Sequence, residues 1–127
     1  MVLASGAFDG LHAGHVRYLQ AARRYGSPLV VAIAPDSYIL HSKHRAPYWS
    51  QMDRAATVWA LDCVERVVLQ QSDSVAEIIA FYHPAIFVKG ADWKNRLPDD
   101  VLAACQAAGT LPQFVDTPGR HVHEAHG

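Results

Sequence analysis

No run of about eighteen apolar residues occurs in this chain, and no positively charged segment precedes a long apolar one near its start, so neither a membrane span nor a secretory signal is expected. Charge of either sign is also short. A formal net charge of -1 gives no global field to gather nucleic acid or an acidic membrane surface; neither is an expected partner, and any anion must be recognised locally. Cysteine is scarce as well. Cys63 and Cys105 are far apart and outside any C-x-x-C pattern, and their neighbours Leu61, Val64, Ala104 and Ala108 are apolar. They read as reduced core thiols, a disulfide being the weaker alternative, and a cytoplasmic location is the corresponding expectation. Repeats, low-complexity tracts and linkers are missing too. What remains is 127 residues, half of them apolar, enough for one core and too few for two, which predicts a single domain over residues 1–127.

Apolar periodicity alternates between strand and helix. Val2-Leu3-Ala4 opens the chain as a strand. A helix over residues 15–25 places Val16, Leu19 and Ala22 on one face, with Gly26 as its stop before Pro28. Residues 29–34 read as a buried strand, and residues 35–49 as a loop long enough to be a lid or substrate loop. Ser50 with Asp53 forms a capping-box pattern, followed by a core-facing stripe of Met52, Ala55, Ala56 and Trp59. A strand at 67–69 precedes a second such box, Ser74 with Glu77, and a helix carrying Val75, Ile78, Ile79 and Tyr82 until Pro84. Residues 86–88 form the fourth strand. Pro98, Asp99 and Asp100 suit the first turn of a helix over 101–108, which Gly109 closes before a fifth strand at 113–115. The implied fold class is α/β, a Rossmann-like five-stranded parallel sheet with helices on both faces.

Polar clusters follow the strands: residues 6–15 after the first, 36–48 after the second, 89–96 after the fourth and 116–123 after the fifth. Ligands of open parallel sheets bind beyond the strands' carboxyl ends, so these clusters are expected to share one rim. The first cluster is the most telling. Gly6, Gly10 and Gly14 let backbone approach a ligand closely, a helix start offers unpaired N–H groups and partial positive charge, and His12 and His15 add donors on one side of its first turn. That combination suits a phosphate chain.

Gly6-Ala7-Phe8-Asp9 followed by His12-Ala13-Gly14-His15 resembles the G-x-F-D-x-x-H-x-G-H signature of the cytidylyltransferase-like nucleotidyltransferases, matching every fixed position. Glycerol-3-phosphate cytidylyltransferases and heptose-1-phosphate adenylyltransferases are among them. Such enzymes join a nucleoside monophosphate to a phosphorylated small molecule and release pyrophosphate. The resemblance implies that His12, His15 and Lys43 are catalytic, the histidines by touching phosphates in the transition state and the lysine by following charge from its K-x-R-P-like segment, Lys43 to Pro47 with Arg45. Nucleotide contacts are implied for Gly6, Ala7, Phe8, Gly14 and His15, and for Lys89, Gly90, Asp92 and Trp93 of the second signature, Val88-Lys89-Gly90-Ala91-Asp92-Trp93. Its K-G-x-D form is nearer to the heptose-phosphate enzymes. Asp9, Asp36 and Arg54 are expected at the acceptor; Asp36 can instead be a turn former beside Pro35, and Arg54 a surface helix residue.

The departure is at the end. Relatives usually carry an I-S-T-T-like run after the fifth strand, whereas here Asp116-Thr117-Pro118-Gly119-Arg120 leaves Thr117, with Arg120 as the second candidate, as the expected stand-in phosphate contact and residues 116–127 as an atypical tail. His121, His123 and His126 do not form H-E-x-x-H. Magnesium is expected to arrive with the triphosphate, Asp9 being the candidate protein carboxylate. The implied partners are ATP or CTP, a phosphorylated sugar or polyol, and a second copy in a homodimer, with Trp49, Trp59 or Tyr82 as interface candidates. The alternative is a non-catalytic nucleotide-binding module of the same fold.

Overall fold

The computed structural model describes residues 1–116. The elements in order are β1 (Val2–Gly6), α1 (Ala13–Arg23), β2 (Leu29–Ile33), α2 (Asp36–Lys43), α3 (Gln51–Trp59), β3 (Arg66–Leu69), α4 (Ala76–Tyr82), β4 (Ile86–Gly90), a 3-10 turn (Ala91–Trp93), α5 (Asp99–Ala108) and β5 (Leu111–Val115). All four strand pairings are parallel, in the order β3-β2-β1-β4-β5. This is the expected α/β, Rossmann-like sheet. No helix among the described residues is long and apolar enough to cross a membrane.

Strand alternation sorts the core onto two faces. Val2, Ala4, Val31, Ile33 and Val88 pack with Tyr18, Leu19 and Ala22 of α1 and with Ala55 and Val58 of α3. Leu3, Val30, Ala32 and Phe87 face the other way, against Ile79 of α4 and Val101 and Cys105 of α5. Because β2 is covered on both faces, all five of its residues are buried, which is why it reads as an unbroken apolar run. Each large apolar side chain sealed in this way contributes about 1.5–3 kcal/mol. Both cysteines are free thiols, Cys105 buried and Cys63 half-buried, and desolvation pushes both above their ordinary value.

Three local expectations are corrected. Residues 35–49 are not one open loop: residues 36–43 form α2, pinned by the fully buried Ile39 and ended by His44 in the left-handed region at φ 57°. One buried side chain in eight residues gives too faint a period to announce a helix. On α3 the inward residues are Arg54, Ala55 and Val58, while Met52 and Trp59 are 65 % and 60 % exposed. The helix is turned by burial of Arg54, described below. Lastly, α4 starts at Ala76 with Val75 as its N-cap, so Ser74 forms no capping box with Glu77; its Oγ accepts from the Ala76 N–H at 3.2 Å and donates to Asp100.

The sheet order reverses at β1, with β2 on one side and β4 on the other. Pairing between β1 and β4 ends at Ala4 and Val88, although the strands run on to Gly6 and Gly90. A crevice therefore opens at their carboxyl ends, where such sheets hold ligands.

Candidate active site

Residues 6–15 turn the chain across this crevice. Phe8 adopts φ 53° and tucks its ring beneath the turn, edge-on to the His15 ring at 5.3 Å, with only 3 % exposure. A Cβ on Gly6 would stand 3.0 Å from that ring, so residue 6 is glycine to admit Phe8 as well as to bring backbone near a ligand. Phe8 accordingly borders the cavity as a support, not as an exposed face.

His12 is the N-cap of α1. Its Nδ1 accepts from the Gly14 N–H at 3.0 Å, and the Nδ1 of His15 accepts from the His12 N–H at 3.2 Å, a capping box built entirely from imidazoles. The two rings stack with centroids 3.8 Å apart. An Nδ1 that accepts carries no proton, so in each neutral ring the proton sits on Nε2. Helix capping thus sets the tautomer and makes each Nε2–H a donor at the positive end of α1.

These imidazoles line a cavity of about 740 Å³ together with Gly6, Ala7, Phe8, Asp9, Gly14, Lys43, Arg45, Lys89, Gly90 and Trp93. It unites most of the residues picked from the two signatures. Lys43 reaches it from the last residue of α2, and Lys89 from β4, donating from Nζ to the Ser5 carbonyl at 3.1 Å and lying 4.8 Å above the Trp93 ring. Asp92 is exposed on the 3-10 turn and does not line the cavity. Thr117 and the tail histidines lie outside the described residues.

Of the three expected acceptor residues, Asp9 borders the cavity and Asp36 and Arg54 do not. The Asp9 side chain is 3 % exposed; its carboxylate accepts from Arg45 Nη1 at 2.8 Å and from the N–H groups of Tyr48 and Trp49 at 2.9 and 3.0 Å. Desolvation pushes the Asp9 carboxyl up, but those hydrogen bonds and the Arg45 charge outweigh it and hold the group below its ordinary value. With three donors on it, one of them the Arg45 cation, Asp9 does not fit a metal ligand; it ties the glycine turn to the α2–α3 connection. Arg54 is 1 % exposed and also misses the cavity: it donates to the carbonyls of Trp49, Ala7 and Ala34 at 3.0, 2.8 and 2.7 Å and to Asp36 at 2.7 Å. A guanidinium so fully used is a brace, and Asp36 is its half-exposed counterion.

Two residues of the site escaped the sequence reading. Arg45, noticed only as part of its segment, is held by Asp9 at the cavity mouth, 4.1 Å above the Tyr48 ring. Tyr18, within the expected first helix but not part of its Val16, Leu19 and Ala22 stripe, accepts from the Ser5 N–H at 3.2 Å and donates to the Val88 carbonyl, plugging the split between β1 and β4.

Comparison with known proteins agrees with this geometry. The family model described as cytidylyltransferase-like matches residues 3–116. The bifunctional protein HldE of Geobacter metallireducens is 35% identical over 91% of this chain, and that of Trichlorobacter lovleyi 40% over the same share; the chain spans 24% of each relative's length. A lipopolysaccharide core biosynthesis protein from Thermoplasma volcanium superposes with a TM-score of 0.73 at 26% identity, covering 91% of this chain and 93% of that one. With two matched signatures converging on the sheet's reversal point and a family match over nearly all described residues, the chain belongs to the cytidylyltransferase-like family of nucleotidyltransferases.

Proposed function

We propose that this domain transfers a nucleoside monophosphate from ATP or CTP to a phosphorylated sugar or polyol, releasing pyrophosphate. The observation that carries the reading is the convergence of His12, His15, Lys43, Arg45 and Lys89 on one cavity at the carboxyl ends of β1 and β4. An oxygen of the acceptor phosphate attacks the α-phosphorus in line; the bond to the β-phosphate bridging oxygen breaks, and its electron pair leaves with pyrophosphate. The protein's task is to position the reactants and stabilise the charge that develops. Nε2–H groups of His12 and His15 suit that charge, Lys43 and Arg45 suit the leaving pyrophosphate, and Lys89 suits the acceptor phosphate. Gly6, Ala7, Gly14, Gly90 and Trp93 border the nucleotide, with Asp92 and Thr117 as further candidate contacts.

Magnesium enters this reading as part of the substrate, held by triphosphate oxygens and water. Among the described residues no group of three or more His, Cys, Asp or Glu side chains could hold a resident ion. The K-G-x-D form, which resembles heptose-phosphate adenylyltransferases, favours a sugar phosphate. A cytoplasmic location suits the free thiols of Cys63 and Cys105, and a homodimer would cover the exposed Met52 and Trp59 of α3.

The test is pyrophosphate release with magnesium, comparing ATP and CTP against a panel of sugar and polyol phosphates. Release with one pair names both substrates. Nucleotide binding without release from any pair would instead favour the non-catalytic binding module.

A further inference from the structure

The helix that brings Lys43 to the transfer cavity is held only lightly by packing. α2 has eight residues, fewer than the ~12–15 an isolated helix needs in water. The single residue it buries is Ile39, while Leu40 is 52 % exposed. Polar contacts therefore decide where it lies. Its first residue, Asp36, pairs with Arg54, and Arg45, just beyond its end, pairs with Asp9. Between these anchors Ser37 and His41, one turn apart on the same face, both grip Asp73 of the β3–α4 loop. Ser37 Oγ donates to one carboxylate oxygen, and His41 Nδ1 lies 2.6 Å from the other. The Ser37 bond, then the His41 bond, hold the Asp73 carboxyl below its ordinary value, so it is ionised at neutral pH and accepts from both.

We infer that Asp73 is a positioning residue for the transfer: by holding Ser37 and His41 it fixes the rotation of α2 and with it the place of Lys43. The inference rests on the transfer reading above, in which Lys43 meets the leaving pyrophosphate. Helix geometry links the two sides. At about 100° per residue, Lys43 stands about 160° round the helix from His41, so the grip is on one side of α2 and the ammonium on the other, at the transfer cavity. Freeing the gripped side lets the helix roll over Ile39, and a roll moves the tip of a long side chain further than the backbone.

Asp73 is itself a fixed point. Gln70, 4 % exposed just past β3, donates from Nε2 to the carbonyls of Ser72 and Asp73 at 2.9 and 3.1 Å. The Gln70 carbonyl accepts from Gln51 Nε2 at 2.9 Å, and the same Nε2 donates to the Ile33 carbonyl at 2.9 Å. Two glutamine amides thus tie the loop to the carboxyl ends of β2 and β3 and to the start of α3. The tied loop holds the lightly packed helix, not the reverse. The side chains of His41 and Asp73 are 66 % and 39 % exposed, and ion pairs so exposed add little global stability, so removing the grip leaves the fold intact.

The experiment compares the full chain as wild type, Asp73→Ala, the Ser37→Ala His41→Ala double variant, Lys43→Ala, and Asp73→Ala combined with Lys43→Ala. Calorimetric titration with magnesium pyrophosphate reads the place of Lys43, and amide exchange at residues 38–44 reads the hold on α2. Lys43→Ala is expected to weaken pyrophosphate binding about tenfold or more, as loss of a charge-assisted hydrogen bond does, and Asp73→Ala about threefold or more. Loss of a negative charge would by itself tighten the binding of an anion, so weakening has the sign that only a displaced cation gives. With Lys43 gone, Asp73→Ala should weaken binding no further, because the two act as one unit. The Ser37 and His41 double variant should match Asp73→Ala although its carboxylate remains, which a direct contact of Asp73 with substrate would not produce. Both should speed exchange in α2 about tenfold and leave β1 and β2 unchanged. Tighter binding by Asp73→Ala, an equal loss with and without Lys43, a double variant that binds like wild type, or unchanged exchange in α2 each overturns the inference. Binding that depends on Lys43 and not on Asp73 overturns the inference and leaves the transfer reading standing, whereas no binding of pyrophosphate, ATP or CTP to wild type overturns both.

Discussion

The Tyr18 hydroxyl donates to the Val88 carbonyl while accepting from the Ser5 N–H, so a side chain of α1 stands between β1 and β4 just where their pairing stops. Lys89 satisfies the Ser5 carbonyl from the other direction. The crevice that a ligand needs leaves buried main-chain groups without strand partners, and these two side chains supply the partners. Tyr18 therefore joins the helix that presents His15 to the strand that presents Lys89.

Tyr18→Phe is expected to lower folding stability by about 1–3 kcal/mol, because the hydroxyl is lost while the Ser5 N–H and Val88 carbonyl stay buried. Urea denaturation reads the change. No loss of stability would mean that a water or a small shift of β4 replaces the hydroxyl at no cost.

His15→Ala should cut turnover by roughly a hundredfold or more while nucleotide affinity changes little, since a donor aimed at developing charge acts mainly in the transition state. Because His15 Nδ1 also closes the capping box, a stability loss of about 1 kcal/mol is expected beside it. Steady-state kinetics with nucleotide titration separates the two effects. Equal losses of affinity and rate would make His15 a ground-state contact only.

Much of the fold was legible because parallel strands covered on both faces are apolar throughout, as in residues 29–33, and because glycine, proline and capping residues punctuate the helices. The site was legible where backbone chemistry demands particular residues, as at Gly6, His12 and His15. What stayed hidden depends on tertiary partners. Met52, Ala55, Ala56 and Trp59 recur at i, i+3, i+4 and i+7, and periodicity alone favours that apolar stripe over the face of Arg54, Ala55 and Val58 that the fold buries. Only the carbonyls of Ala7, Ala34 and Trp49, brought together by the fold, make burying Arg54 favourable. The partners of Asp9 stayed hidden for the same reason, since its three donors come from residues 45–49.

Arg54→Ala is expected to destabilise the domain by about 3–5 kcal/mol, because it strands Asp36 and three buried carbonyls at once. Arg54→Lys should recover only part, as an ammonium cannot reproduce the planar fork. Asp36→Asn should cost no more than about 1 kcal/mol, its side chain being 52% exposed. Thermal denaturation of the three variants gives the ranking. A well-folded Arg54→Ala protein with impaired phosphate binding would return Arg54 to the substrate.

Asp9→Asn tests the anchor of the α2–α3 connection, and the pH dependence identifies the charge as its source. The Asp9 carboxyl is held below its ordinary value of 3.8 in the folded protein, so the unfolded chain takes up the proton first as pH falls. The stabilisation from its ion pair and hydrogen bonds is then complete above about pH 4 and is lost as pH drops through the folded value. At pH 7 the substitution should cost about 1–3 kcal/mol, and the gap between wild type and variant should shrink below the ordinary carboxylate value. Because Arg45 then loses its counter-charge and one of the two acceptor oxygens shared by Arg45, Tyr48 and Trp49 is gone, the connection should loosen at neutral pH, with faster amide exchange at residue 48 or 49. A gap that stays constant from pH 7 to pH 3 would show that the Asp9 charge is not its source and that the acceptor oxygen asparagine lacks accounts for the whole effect.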